Sequence, residues 1–385
     1  MRSIDIGKEA LILAINNNDK QQIAKSYFLV AYYQSEKGMY YQALNNYFSA
    51  LYAYRDAGNY GRQVGTLKNI GVIYSRGGLN GEAISIYKDA KDIAVDLNDI
   101  QRMRSIQYHM ARSYRFMKDY DRAFEMYLDL VEQNDDFTDK KLLLDCYLEL
   151  GYITSYNYKD YEKAIEYYQK AAGVYALGEE GYESGRVKGI NGIAYCEMYL
   201  TNYIKAKNLF YESLAIFDNL KGDKETLVML YGNLGQLYQK TGDLDSSIIM
   251  FENGLRVEPL QNFDKTYIQT AEHIYNYYRK KSPQKREYYH QIIYKYGLEL
   301  SELKLQLTKA SHEYQVRAAD YRRELDLRIA RERRMFWWDV FFYGLSLIIL
   351  ATGATYYFLE KKKRRKRLRK ALDNARIVVP LPGKY

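Results

Sequence analysis

The stretch "NIGVIYSRGGLNGEAISIYKDA", residues 69–90, decides the fold. In its first part Ile70, Ile73 and Tyr74 recur at the spacing of one helical face, with Gly71 beside them. Gly77 and Gly78 then mark a turn. A second helical run follows, in which Ala83 precedes Tyr87 by four residues and Ala90 by seven, so that all three share one face. Two helices joined by so short a turn lie antiparallel, and small residues at 71 and 83 let their backbones approach closely.

The second-helix triplet recurs along the chain. Ala43, Tyr47 and Ala50 fit it, as do Ala123, Tyr127 and Leu130. So do Ala164, Tyr168 and Ala171, then Ala206, Phe210 and Ser213, then Ser247, Phe251 and Gly254. Successive first members are 40, 40, 41, 42 and 41 residues apart. The first helix repeats as "HMARSY" at 109–114, "ELGYIT" at 149–154, "INGIAY" at 190–195 and "NLGQLY" at 233–238. Gly71, Ala111, Gly151, Gly192 and Gly235 mark its close-approach position. Tyr74, Tyr114, Tyr195 and Tyr238 fill the groove between units. Gln34 and Thr154 depart from that tyrosine. The turns of the fourth and fifth units read as longer by one and two residues. A period of this kind is the signature of a solenoid.

These residues resemble the tetratricopeptide repeat (TPR), over about residues 3–259. The step exceeds the 34-residue form and is similar to the long-helix variety of kinesin light chains and bacterial peptide-sensing regulators. The expected fold is all-α: a right-handed TPR superhelix of antiparallel helix pairs over 1–259, of about six units. A degenerate capping pair over 260–297 follows, broken at Ser282-Pro283. One period before Ala43 the register falls on Ser3, Gly7 and Ala10, so the first helix reads as the second half of a unit. The expectation is that upstream sequence precedes it.

Composition narrows the function. All 4 prolines lie at or after Pro259, which suits long uninterrupted helices. Cys146 and Cys196 stand alone in apolar runs and read as buried thiols. His109, His273, His290 and His312 are scattered, with no metal-binding spacing. No Gly-rich phosphate loop and no catalytic constellation is present, so neither enzyme activity nor a cofactor is expected. The net charge is +9, but residues 360–385 alone hold 11 Lys/Arg against 2 Asp/Glu. The remaining chain is balanced, and nucleic acid is not an expected partner.

Residues 298–334 read as a long charged helix. Leu300, Leu303, Leu307, Ala310, Tyr314 and Tyr321 recur at a 3–4 spacing, which Arg317 and Glu324 interrupt. The seam suits either a short coiled coil or a helix packed on the solenoid. Residues 335–359, "MFWWDVFFYGLSLIILATGATYYFL", hold one charge, Asp339. Trp337 to Tyr357 spans about 30 Å, the hydrocarbon thickness of a bilayer. Trp337, Trp338 and Tyr343 form one interfacial belt, Tyr356 and Tyr357 the other. Gly344, Ala351, Gly353 and Ala354 would let two spans pack, so a homodimer is possible. Residues 360–385 form a basic tail, with Lys361, Lys362, Lys363, Arg364 and Arg365 placed to meet anionic lipid. The membrane is thus engaged through 335–370.

The positive-inside rule puts this tail in the cytoplasm and the solenoid outside, across a bacterial inner membrane. That topology needs an export signal, and "MRSIDIGKEALILAINNNDK" is not one. An upstream signal resolves the conflict. The order of parts resembles bacterial membrane sensors with a TPR sensing region, such as TPR histidine kinases, without their output domain. Two functions follow. One is a membrane-anchored scaffold binding a peptide or protein on its concave face. The other is a sensory ectodomain and span whose output domain lies elsewhere. Contact candidates are Lys68, Asn69 and Arg76, then Tyr108, Arg112 and Arg115, then Asn233 and Gln236. The resemblance implies that Asn69 and Asn233 hold peptide backbone. Equally, both would serve as bonds between neighbouring helices, and the cations as a solvated face.

Overall fold

The structure is a computed structural model that describes residues 2–132, 139–217, 224–257 and 265–376. Helices fill it, and no strand occurs among the described residues. The regular part is built from α1 (Arg2–Asn16), α2 (Lys20–Glu36), α3 (Tyr40–Asp56), α4 (Tyr60–Arg76), α5 (Asn80–Asp96) and α6 (Ile100–Phe116). Three-residue turns join them. Then come α7 (Tyr120–Glu132), α8 (Lys140–Ile153), α9 (Tyr161–Ala172), α10 (Tyr182–Tyr199), α11 (Tyr203–Phe217), α12 (Lys224–Lys240) and α13 (Leu244–Arg256). Last are α14 (Lys265–Tyr278) and α15 (Pro283–Arg376). The pairs α2–α3, α4–α5, α6–α7, α8–α9, α10–α11 and α12–α13 are the six sequence units. The fold is a TPR superhelix.

Local chemistry sets the ends of these helices. Asp19, Asn59, Asp99 and Asp139 accept the backbone N–H three residues on and so cap α2, α4, α6 and α8. Each such cap stabilises by about 1 kcal/mol relative to alanine. The turns before α2, α4, α5 and α6 each hold one residue with positive φ. Gly58 and Gly78 take it without strain, and Asn18 and Asn98 occupy the equivalent place.

The core follows the triplets. Every member of every triplet is buried, the rings of Tyr47, Tyr87, Tyr127, Phe210 and Phe251 almost completely. Each ring lies where a larger side chain on the paired helix would stand. A Cβ added at Gly71 would enter the Tyr87 ring, and one at Gly235 would lie 2.5 Å from the Phe251 ring. The Tyr168 ring is shared, pressed by Gly151 of its own unit and Gly192 of the next.

Three sequence expectations change in detail. The extra residue of the fourth unit is absorbed in a one-turn π-helix at Thr154–Tyr158, before Lys159 turns the chain with positive φ. The two extra residues of the fifth unit lengthen α10, and its turn stays three residues long. At the N-terminus, Ile4, Gly7 and Ala14 are buried, whereas Ser3 and Ala10 are exposed. Gly7 meets Val30 of α2, so α1 is rotated relative to the later second helices.

Beyond the six units, α14 continues the stack. His273 lies flat on Phe251 with ring centroids 4.9 Å apart, and the Tyr277 hydroxyl donates to Asp245 at 2.7 Å. After Pro283, α15 runs unbroken to Arg376. The chain forms two compact units, Met1–Glu313 and Tyr314–Tyr385. In the first, Leu303, Leu307 and Ala310 are buried, and a Cβ at Gly77 would collide with the Leu307 side chain. Over these residues the apolar seam is packed on the solenoid. In the second unit, residues 335–359 are exposed throughout. A segment long and apolar enough to cross a membrane lies within Arg333–Lys370. The side chains of Arg317, Tyr321 and Glu324, the boundary at Pro259 and the last nine residues lie outside the described set.

Gly71→Val should lower the urea midpoint, by about 1–3 kcal/mol of stability, because the Tyr87 ring cannot yield. Gly65→Ala on the same helix has open space around it and should raise stability by about 0.5–1 kcal/mol. Denaturation followed by far-ultraviolet circular dichroism separates the two; equal effects would contradict the ring-over-glycine packing.

Candidate functional site

The first helices α4, α6 and α8 place three sets of side chains in one register. Lys68 and Tyr108 are 40 residues apart, as are Asn69, His109 and Glu149, and Val72, Arg112 and Tyr152. The middle set faces the ring of the preceding unit. The Asn69 amide donates to the Tyr47 hydroxyl at 3.2 Å, and His109 stacks on Tyr87 at 5.7 Å. Asn69 is thus engaged between helices, and so is Asn233, whose side-chain amide donates to the Asn191 side-chain Oδ1 at 3.1 Å. Both are half-buried.

The flanking residues carry the charge. Lys68, Arg112 and Arg76 all bear on His109 and oppose its protonation, after burial, which is the larger cause; its pKa falls to about 3. The histidine is neutral at every physiological pH. Burial also lowers the Lys68 ammonium pKa, and Arg102 and Lys141 push it the same way. Arg115 is ion-paired with Glu149 at 2.7 Å, both side chains being about 15% exposed. Its guanidinium also lies over the Phe116 and Tyr152 rings, at 4.5 and 4.9 Å. Arg112 lies over Phe116 at 5.4 Å. Its Nε is buried with no hydrogen-bond partner, and the Tyr127 hydroxyl is in the same condition. A buried polar atom left unpaired costs about 1–3 kcal/mol, so two close together call for an explanation.

Lys68, Arg76, Tyr108, Arg112 and Arg115 therefore converge across α4 and α6. Asn233 and Gln236 sit apart on α12, where Gln236 is half-buried. Sequence reading missed His109, Asp145, Glu149 and Tyr152. Carrying the 40-residue register from Asn69 and Arg112 onto α8 would have found Glu149 and Tyr152. The thiols of Cys146 and Cys196 are buried, and burial raises both pKa values, that of Cys196 to about 12. Neither is a nucleophile at neutral pH.

With this geometry in view, the comparisons fall into place. Tetratricopeptide-repeat family models match residues 105–137 and 188–257. The full sequence has no match among curated proteins. Among solved structures, a Rap protein complexed with competence and sporulation factor is similar at TM-score 0.58 and 15% identity, covering 76% of this chain and 80% of its own. The apo form of the quorum sensor NprR from B. thuringiensis is similar at TM-score 0.58 and 17% identity, covering 77% and 83%. NprR in complex with its cognate peptide NprX is similar at TM-score 0.53 and 17% identity, covering 76% and 81%. The chain has the tetratricopeptide-repeat fold.

Asp145 gives a pH-dependent test. Burial raises its carboxyl pKa to about 6, against the pull of Lys188 and Lys141. The folded chain holds this proton more tightly than the unfolded one. Stability from this group is therefore full below about pH 4 and lost as pH rises towards 6 and beyond. Asp145→Asn should match the wild type at pH 4.5 and exceed it at pH 7.5 in urea midpoint. A wild-type advantage at pH 7.5 would show that the neighbouring cations outweigh burial.

Proposed function

We infer that this protein is a membrane-anchored scaffold that holds an extended peptide or partner segment on the face built by α4, α6 and α8. The observation that carries this reading is the convergence of Lys68, Arg76, Tyr108, Arg112 and Arg115, with a buried Arg112 Nε left unpartnered. An unmet polar edge among aromatic rings suits a peptide that brings its own acceptors. The Rap and NprR structures support the reading, since both are named with a bound factor or peptide. The helix–helix bonds of Asn69 and Asn233 each use one amide hydrogen and no oxygen lone pair, which leaves enough to serve peptide backbone as well.

The anchor is the exposed apolar segment 335–359. Trp337 and Trp338, then Tyr356 and Tyr357, are solvent-facing rings that would lie at the two interfaces. Lys361, Lys362, Lys363, Arg364 and Arg365 follow at once, all exposed, and would meet anionic lipid of the cytoplasmic leaflet. The solenoid then lies outside a bacterial inner membrane.

One observation favours a sensory role beside the scaffold. The Leu303–Leu307–Ala310 face is seated on the solenoid, Leu307 at Gly77 beside Arg76. The same helix continues into the apolar segment. A ligand that displaced this face would move a helix that enters the membrane.

Panning the full chain in lipid nanodiscs against a random decapeptide display library should enrich sequences that Arg112→Glu with Arg115→Glu fails to enrich, at unchanged helicity. Equal enrichment by the double variant would sink the binding face. In the sensory case the selected peptides also expose residues 300–314 to trypsin. For the topology, Glu9→Cys should react with an impermeant maleimide on intact spheroplasts, and Lys363→Cys only after lysis. The reverse pattern would put the solenoid in the cytoplasm.

A further inference from the structure

We propose that the outer face of α1 is a self-association surface, on which the α1 of a second copy of this chain packs antiparallel across a two-fold axis.

The repeat itself shows that this face lacks a cover. Second helices inside the stack are held from two sides: α3 packs between α2 and α4, and α5 between α4 and α6. The helix α1 stands in second-helix register and packs on α2, and no helix precedes it among the described residues. The side chains record the difference. Ala43 and Ala50 of α3, and Ala83 and Ala90 of α5, are fully buried. Ser3 and Ala10, one period earlier, are exposed. Beside them Ile6 and Leu13 stand 57% and 63% exposed. A terminal unit that ends in solvent carries a polar outer face; this one carries aliphatic side chains.

The pattern also selects the helix that fits. Ser3, Ile6, Ala10 and Leu13 follow one another at steps of three and four, and lie within about 80° of one another at 3.6 residues per turn. They form a narrow seam, about 100° round the helix from the buried line of Ile4, Gly7 and Ala14, where Gly7 meets Val30 of α2. Small and aliphatic residues alternate along the seam, which makes it complementary to itself in one orientation. With a second α1 antiparallel, one register sets Ser3 against Leu13 of the partner subunit and Ile6 against Ala10 of the partner subunit. The two-fold axis repeats both pairs, so every layer holds one large and one small side chain and the backbones approach closely. An in-register parallel pairing instead sets Ile6 on Ile6 of the partner subunit and Ala10 on Ala10 of the partner subunit, layers that are overfull and empty in turn.

Closing the seam buries no charge. Asp5, Lys8 and Glu9 are exposed and lie outside it. Ile12 and Ile15, also exposed, lie on the other side of α1 beside Lys8 and serve as controls. Where both copies are anchored in one bilayer, as proposed above, their meeting is confined to a surface and a short seam suffices.

The test is disulfide trapping in the full chain, where Cys146 and Cys196 are buried and stay silent. Two copies with different C-terminal tags are co-expressed and oxidised in membranes with copper phenanthroline. One carries Ile6→Cys and the other Ala10→Cys, or one Ser3→Cys and the other Leu13→Cys. Both mixed pairs should crosslink in preference to copies carrying Ile12→Cys or Ile15→Cys. Ala10→Leu, added to the Ser3→Cys and Leu13→Cys pair, extends apolar surface at a position exposed in the single chain, so helicity should be unchanged. It should nonetheless cut the crosslink about tenfold, because two large side chains then share one layer. A crosslink that rises with Ala10→Leu marks non-specific association and overturns the proposal. Ile6→Cys copies that trap each other better than they trap Ala10→Cys mark a parallel pairing and overturn it, as does equal trapping at Ile12 and at the seam. Where no pair crosslinks, an impermeant maleimide distinguishes two failures. Labelling at positions 6 and 10 means a bare seam, and protection means another occupant, an upstream segment or a different protein; either result overturns the second-copy assignment.

Discussion

One aromatic ring per unit holds this structure together. Tyr87 presses on Gly71 within its unit and stacks on His109 of the next first helix. Tyr47 reaches Asn69 in the same way, and Phe251 meets both Gly235 and His273. The ring therefore fixes two distances at once: the approach of paired helices and the stacking of successive pairs. Its partner in the next unit lies 22 residues on in each case, which is why one register extends from Asn69 through His109 to His273. Small residues are required opposite the ring because packed interiors leave no slack for a methyl group.

The same constraint sorts the exposed side chains. The residue 22 positions after a ring is committed to packing. Its neighbours on the helix, at 21 and 25, make other contacts: Tyr108 packs on Tyr127 at 5.6 Å and Tyr152 stacks on Tyr156 at 5.3 Å. Lys68 and Tyr108 occupy the first position, and Val72, Arg112 and Tyr152 the second. The repeat thus carries the same two flanking positions from unit to unit.

That arrangement explains what was legible in the sequence. The triplets were readable because burial permits few residue types, and Ala, Tyr and Phe recur at fixed spacing. Helix ends were readable from Asp and Asn caps and from positive-φ residues. The charged cluster on α4 and α6 was readable because Lys68, Arg112 and Arg115 stand on a repeated face. Glu149 and Asp145 were not, since an acid on a first helix looks like any solvated charge until its distance to Arg115 is known. The engagement of Asn69 and Asn233 was equally hidden: an amide suits a peptide and a neighbouring helix alike. Insertions misled for a simpler reason. Extra residues can lengthen a helix or a turn, and the local sequence "SYNYKD" suits a π-turn as well as a loop.

Charge is informative here by position and not by total. A net +9 suggests a polyanion partner, yet the cations gather in two unlike places. The tail carries its excess on exposed side chains over residues 361–370, following an apolar segment, where solvent and salt screen it. On α4 and α6 only a few cations are involved; Lys68, Arg112 and Arg115 are half-buried among rings, where the effective dielectric is lower, and Arg76 is exposed. A half-buried cluster is expensive to keep unless something binds there, whereas an exposed tail costs the fold nothing. The smaller, half-buried cluster therefore weighs more on the fold than the larger, exposed one.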